Sequence, residues 1–338
     1  MAEQKHYHFS KTGVFYAMNN LDDALSAMSE GGYIWLDYYD PGKEELMVLA
    51  DRLGIHPLSV EDCLDNNQVP KIEHFPDNTF IIFNAFHYTD KTFFIDEINF
   101  FIGKNYLITV SGHNSEGRKP FSEIGKIISN DTGNTNLEPS QLLHRILDYV
   151  VDQKVSSLEA VEDELEISED QILDAPASFD PVDLMRIRKS LQLLRKSLFH
   201  EREILLKICR LDCQFIKDKV IVHYRDIYDH LAKFFGLAET YREVVTSLME
   251  LYSSLQNNLM NRSANETNSS VRRLTLITTV FMPLTLIASI GGMSEWSMIT
   301  GPSNYRISYP LLILAMVIIA AVNLMVIRRI ERRGRFPK

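Results

Sequence analysis

The spacing of hydrophobic positions changes along the chain. Residues 33–38 (YIWLDY), 79–85 (TFIIFNA), 93–102 (FFIDEINFFI) and 106–110 (YLITV) are short runs rich in aromatic and β-branched side chains. Turn formers such as Pro76-Asp77-Asn78 and Gly103-Lys104-Asn105 lie between them, so each run predicts a strand. Residues 44–53 have helical spacing and stop at Gly54. The alternation predicts an α+β (α/β) domain over residues 1–130, in which His6 and His8 fall on an exposed strand rather than at a metal.

From about Pro139 the period lengthens. Leu143, Leu147, Val151, Val155, Leu158, Val161 and Leu165 recur at steps of three and four, the mark of an amphipathic helix. Its far end is acidic, with Glu159, Glu162, Asp163, Glu164 and Glu166. Beyond Pro176 and Pro181, residues 184–210 predict a second helix rich in Arg, Lys and Leu. Residues 131–223 therefore read as an antiparallel helical hairpin held by complementary acidic and basic faces. Between Tyr224 and Met293 the only breakers are Gly236, Pro283 and Gly291-Gly292, while Tyr241, Val244, Leu248, Leu251 and Leu255 form an apolar seam. Seventy residues of helix run about 105 Å at 1.5 Å per residue. No small domain covers that length, so self-association is implied.

Two stretches, 274–293 and 309–327, contain no charged residue, and each has the length a bilayer core requires. Arg272 and Arg273 precede the first, and six basic residues follow the second. The connecting segment 294–308 holds only Glu295 and Arg306 as charges. The positive-inside rule then places both termini in the cytoplasm, in a multi-pass protein of the cell's inner or plasma membrane. The chain divides on this reading into 1–130, a hairpin 131–223, a stalk 224–273, a first span 274–293, an outer loop 294–308, a second span 309–327 and a basic tail 328–338.

Net charge is −10, from 35 basic and 45 acidic residues, yet residues 328–338 carry +5, leaving −15 on the rest. An acidic body is a poor match for nucleic acid and suits a protein that attracts cations and sits beside anionic lipid. Three cysteines, Cys63, Cys209 and Cys213, make no disulfide framework and point to a reducing compartment. Cys209 and Cys213 share a face if 205–215 is helical, where packing is expected rather than zinc. The opening MAEQKHYHFSKTG has no apolar core, so no signal peptide is expected there. No phosphate-binding glycine loop, nucleophile elbow or HExxH pair occurs, so no enzyme is expected.

The first span is patterned. Asn261, Ala264, Asn268, Val271, Thr275, Thr278, Met282, Thr285, Ser289 and Gly292 follow steps of three and four and trace one helix face. That stripe is small or polar almost throughout, whereas Leu276, Val280, Ile287 and Ile290 hold the opposite face. Small polar residues serve helix–helix contacts, but the asparagines that continue the stripe below the span suit a wet lumen. The spacing favours pore lining.

Four segments resemble the CorA magnesium-transporter family. Residues 54–62 (GIHPLSVED) look like its GIHPL…EDIL segment, and 68–73 (QVPKIE) follow where the family has Q-R-P-K-hydrophobic-E. Residues 224–230 (YRDIYDH) resemble its FRDVYDH, and 281–288 (FMPLTLIA) its FMPLTFIA. The resemblance implies a funnel-shaped homopentamer in a lipid bilayer, with the first span as inner ring. It implies pore-facing positions at Asn268, Leu274, Met282, Thr285, Ser289 and Ser294, with Thr278 on the stripe beside them. It also implies a regulatory ion between neighbouring subunits at Asp62 and Asp226. Where the family has Gly-Met-Asn, this chain has Gly292-Met293-Ser294, followed by Glu295. Serine offers one hydroxyl on a shorter arm, and five copies of Glu295 would draw in cations generally. The function implied is Mg²⁺ influx, with Co²⁺ or Ni²⁺ as companions, gated by cytosolic divalent ions. A ZntB-like Zn²⁺ transporter and a non-conducting regulatory scaffold are the alternatives.

Overall fold

The structure, a computed structural model, describes residues 3–11, 14–65, 68–112, 138–292, 301 and 304–333. The chain divides into two compact units, Met1–Ser253 and Ser254–Lys338.

The first unit is built on a seven-stranded sheet. Its strands are β1 (Glu3–Phe9), β2 (Phe15–Met18), β3 (Tyr33–Tyr39), β4 (Lys71–His74), β5 (Asn78–Thr89), β6 (Thr92–Gly103) and β7 (Tyr106–Ser111), in the order β2-β1-β3-β7-β6-β5-β4. Only β3 and β7 pair in parallel; the other neighbours are antiparallel. Between β5 and β6 the chain reverses through Asp90 and Lys91, both at positive φ of 52° and 61°. That is the backbone of a two-residue turn whose twist matches the strands.

Both faces of the sheet are covered, which is why the strand sequences read as nearly continuous apolar runs. On one face Ile34, Leu36, Phe80, Ile82, Phe101 and Ile108 pack against three short helices, α1 (Leu21–Glu30), α2 (Lys43–Leu53) and α3 (Pro57–Leu64). Helix α2 ends at Gly54, whose φ of 69° is a left-handed cap. The other face meets α4 (Pro139–Asp174) and α5 (Pro181–Cys209).

The pairing of α4 with α5 differs from the sequence expectation. Their buried link is Lys154 on the acidic helix bonded to Glu201 on the basic one, Nζ to Oε2 at 2.5 Å, with 1% and 0% side-chain exposure. Each charge is reversed relative to its helix. Lys154 also lies over the rings of Phe83 and Phe86, while Glu201 accepts the Asn84 backbone N–H at 3.2 Å. The acidic end of α4 is met instead by the β5–β6 turn, where Lys91 binds Glu164 at 3.0 Å and Asp183 of α5 at 2.6 Å.

Two smaller expectations are corrected. His6 and His8 lie on a strand, but both are buried, because β1 is an interior strand between β2 and β3. Their ring nitrogens reach Tyr38 Oη at 3.1 Å and the Gly31 carbonyl at 2.9 Å. Cys209 and Cys213 do not share a helix: α5 stops at Cys209, and Leu211 takes a positive φ of 65°. Cys213 is buried against Thr79 of the sheet.

A short 3₁₀ turn, Asp218–Val220, leads into α6 (Ile221–Gly291), 71 residues without a break despite Pro283. Near its start α6 packs against α5 through Phe235, which lies under the guanidinium groups of Arg195 and Arg202. The second unit holds the rest of α6 and α7 (Tyr305–Arg333). Both helices contain stretches long and apolar enough to cross a membrane.

Candidate ion pathway and acidic site

From residue 254 onward α6 is largely uncovered. Asn261, Ala264, Asn268, Val271, Leu274, Thr275, Thr278, Met282, Thr285 and Ser289 are all exposed on it, as is Gly292 just past its end. A different face carries Leu276, Val280, Pro283 and Ile287, which are half-buried. Gly291 continues that face and is buried; a Cβ there would lie 2.4 Å from Leu312 Cδ2 of α7. The close approach of α7 thus falls on the apolar face, away from the small polar stripe.

The threonines share one arrangement. Thr275 donates to the Val271 carbonyl at 2.9 Å, Thr278 to that of Leu274 at 3.1 Å, and Thr285 to that of Phe281 at 2.8 Å. Thr279, next to the stripe, donates to the Thr275 carbonyl at 2.7 Å. Back-bonding of this kind occupies each hydroxyl proton within the helix. What each side chain offers outward is an oxygen with acceptor capacity left. Met293, Ser294 and Glu295 lie outside the described residues.

Asp62 and Asp226 are placed very differently. Asp62, on α3, is half-buried and accepts a 2.7 Å bond from Lys71 of β4, which also holds Glu73 at 2.9 Å. Asp226, near the start of α6, is exposed, and the ring of His230 one turn on lies 3.9 Å from its carboxylate. Neither hydrogen bond nor ion pair joins the two aspartates within one chain among the described residues. Around Asp226 stand two acids that the sequence reading did not single out, Asp148 and Asp152 of α4. Desolvation raises the pKa of Asp148, and the Asp226 charge raises it further. Desolvation also raises Asp152, followed by the charges of Asp148 and Asp226. Their four-residue spacing on a helix was the available signal. Among the described residues no three His, Cys, Asp or Glu side chains converge so as to hold a metal ion.

A sheet domain followed by a long helix that holds the first of two apolar spans is the architecture of a membrane protein, with a stripe of small and polar residues along that first span. The chain belongs to the CorA-like Mg²⁺ transporter protein family, which residues 30–329 match. A cobalt/magnesium transport protein CorA of Thermotoga maritima is 29% identical over 276 residues, 81% of this chain and 76% of that protein. The complete structure of the CorA magnesium transporter from Methanocaldococcus jannaschii superposes with a TM-score of 0.71 at 26% identity, covering 96% of this chain and 97% of that one. The cytoplasmic domain of ZntB from Vibrio parahaemolyticus aligns with a TM-score of 0.57 over 75% of this chain and 98% of its own, at 12% identity, a likeness of fold alone.

Proposed function

We propose that this chain forms a homopentameric channel for divalent cations, Mg²⁺ first and Co²⁺ or Ni²⁺ after it, with both termini in the cytoplasm. The relatives named as cobalt/magnesium transporters support this above the zinc alternative. The observation that carries it is the exposed stripe of back-bonded threonines on α6. Mg²⁺ dehydrates reluctantly and travels with its waters, whose oxygens face the metal and whose hydrogens face outward. Such an ion needs acceptors along its path. Thr275, Thr278 and Thr285 supply them, because their own protons are held by helix carbonyls. Asn268 and Ser289 extend the polar line, and Leu274 and Met282 narrow it. At the outer mouth Gly292, Met293 and Ser294 meet the hydrated ion, and Glu295 raises its local concentration.

Regulation falls to Asp62 and Asp226 of neighbouring subunits, with an ion between carboxylates that repel one another without it. The residues suit Mg²⁺ in particular, which is held by one or two carboxylates and keeps several waters. Lys71 competes for Asp62 and must yield when the ion binds. The ion links adjacent subunits and favours the closed arrangement, and its loss releases them.

The test is ion flux into liposomes containing the purified protein, compared for Mg²⁺, Co²⁺, Ni²⁺ and Zn²⁺, with and without a proton gradient. Saturable Mg²⁺ influx independent of the proton gradient is expected. Zn²⁺ flux that requires protons would replace this reading with the ZntB-like one, and absence of any flux would leave a scaffold.

A further inference from the structure

A polar cavity of about 370 Å³ lies in the first unit beside the N-terminus of α4, remote in sequence from Asp62 and the stripe. Three lysines from three separate segments border it: Lys11 after β1, Lys104 in the β6–β7 turn, and Lys217 just before the 3₁₀ turn. One carboxylate, Glu138, also borders it and accepts from Lys217 at 2.6 Å. Lys11 and Lys104 have no carboxylate partner among the described residues.

Two further lining residues, Tyr33 and Ser140, are 4% and 2% exposed, and their hydroxyls have no hydrogen-bond partner among the described residues. A buried hydroxyl left unpaired is costly, and both belong to residues that line this cavity. The start of α4, a 36-residue helix with Ser140 in its first turn, adds the positive end of the helix dipole, where Glu138 and Gln141 already form a capping box. Chloride is too small to meet ammonium groups carried on three segments, and a single carboxylate presents only two oxygens. We propose that this cavity is a binding site for a phosphate-bearing anion. Bound there, it draws Lys217 from Glu138 and ties the β6–β7 turn and the start of α4 to the segment that leads into α6. This goes beyond ion conduction and does not depend on it.

The experiment is titration of the full-length protein in detergent with inorganic phosphate, pyrophosphate or AMP, read by calorimetry and by thermal unfolding. Sodium chloride at matched ionic strength is the blank. Saturable binding is expected, weakened about tenfold or more by Lys104→Gln with Lys217→Gln. Tyr33→Phe should weaken it several-fold, and Glu138→Gln, which frees Lys217, should strengthen it. AMP binding more tightly than phosphate would identify a nucleotide as the source; equal affinities would identify the free anion. Either result supports the site. Binding no better than the chloride blank would overturn it. So would an equal loss in Lys43→Gln, an exposed lysine outside the cavity lining.

Discussion

The ammonium of Lys71 holds Asp62 at 2.7 Å, so the proposed regulatory carboxylate is already occupied within its own chain. An ion that bridges Asp62 to Asp226 of a neighbour must displace this lysine. Lys71→Gln therefore favours the ion-bound, closed arrangement, and inhibition of flux should set in at lower internal Mg²⁺. A half-exposed ion pair contributes about 0–1 kcal/mol, so the shift should be up to about fivefold. Asp62→Asn with Asp226→Asn should abolish the inhibition while leaving assembly intact. Liposome flux at stepped internal Mg²⁺ reads both. A Lys71→Gln protein inhibited only at higher Mg²⁺ than the wild type would remove Asp62 from the sensor.

The buried Lys154–Glu201 pair makes a different prediction, about stability. Lys154→Met alone leaves the Glu201 carboxylate in a dry site with the Asn84 N–H and Ser197 hydroxyl as its remaining partners. Breaking one side of such a pair costs roughly 3–5 kcal/mol. Replacing both, as Lys154→Met with Glu201→Leu, removes the two desolvation costs together and should restore most of that loss. Denaturant unfolding of the wild type, Lys154→Met, Glu201→Leu and the double variant checks it. Losses that simply add in the double variant would mean that the pair is not coupled.

Much of this fold could be read from the residues, and the parts that could not share one cause. Strands β3, β5, β6 and β7 are visible because a sheet covered on both faces demands long apolar runs. The 71-residue α6 is visible because so few breakers interrupt it, and the spans because they lack charge. His6 and His8 were misplaced because the burial of β1 depends on β2 and β3, which approach from elsewhere in the chain. Lys154 looks like an ordinary helix-surface lysine until Glu201, 47 residues on, is brought beside it. Asp148 and Asp152 become an acidic neighbourhood only when α6 sets Asp226 against α4. The threonine stripe needed no tertiary partner, since helical spacing alone puts its members on one face.

His144 of α4 supplies a pH dependence. Its pKa falls to about 4 from the usual 6.5, through burial first, then the neighbouring charges of His223 and Arg145, opposed by a His223 backbone bond and by Asp226. A base whose pKa is lower folded than unfolded takes up a proton on unfolding throughout that interval. Stability is therefore complete above about pH 6.5 and declines as pH falls toward 4. His144→Gln should flatten the decline measured by thermal unfolding between pH 7 and 5. Parallel losses in wild type and variant would assign the acid sensitivity to other groups.

The final prediction separates lumen from packing on α6. If the stripe faces a hydrated cation, acceptor oxygens matter and side-chain volume matters less. Thr285→Val keeps the shape but deletes the oxygen, while Thr285→Ser keeps the oxygen and its bond to the Phe281 carbonyl. Loss of one hydrogen bond to a charged ligand is worth about 1.5–3 kcal/mol, so Mg²⁺ flux should fall by about tenfold or more in the valine variant and little in the serine one. Met282, exposed on the same stripe, sets an apolar side chain among its polar ones and on this reading would narrow the path. Constrictions of that kind gate by dewetting, so Met282→Ala should raise basal flux. Ile287, on the half-buried face that leads to Gly291 and α7, should tolerate Ala without a change in flux. If Thr285→Val and Thr285→Ser behaved alike, and Met282→Ala and Ile287→Ala did too, the stripe would be a packing surface and the ion would pass elsewhere.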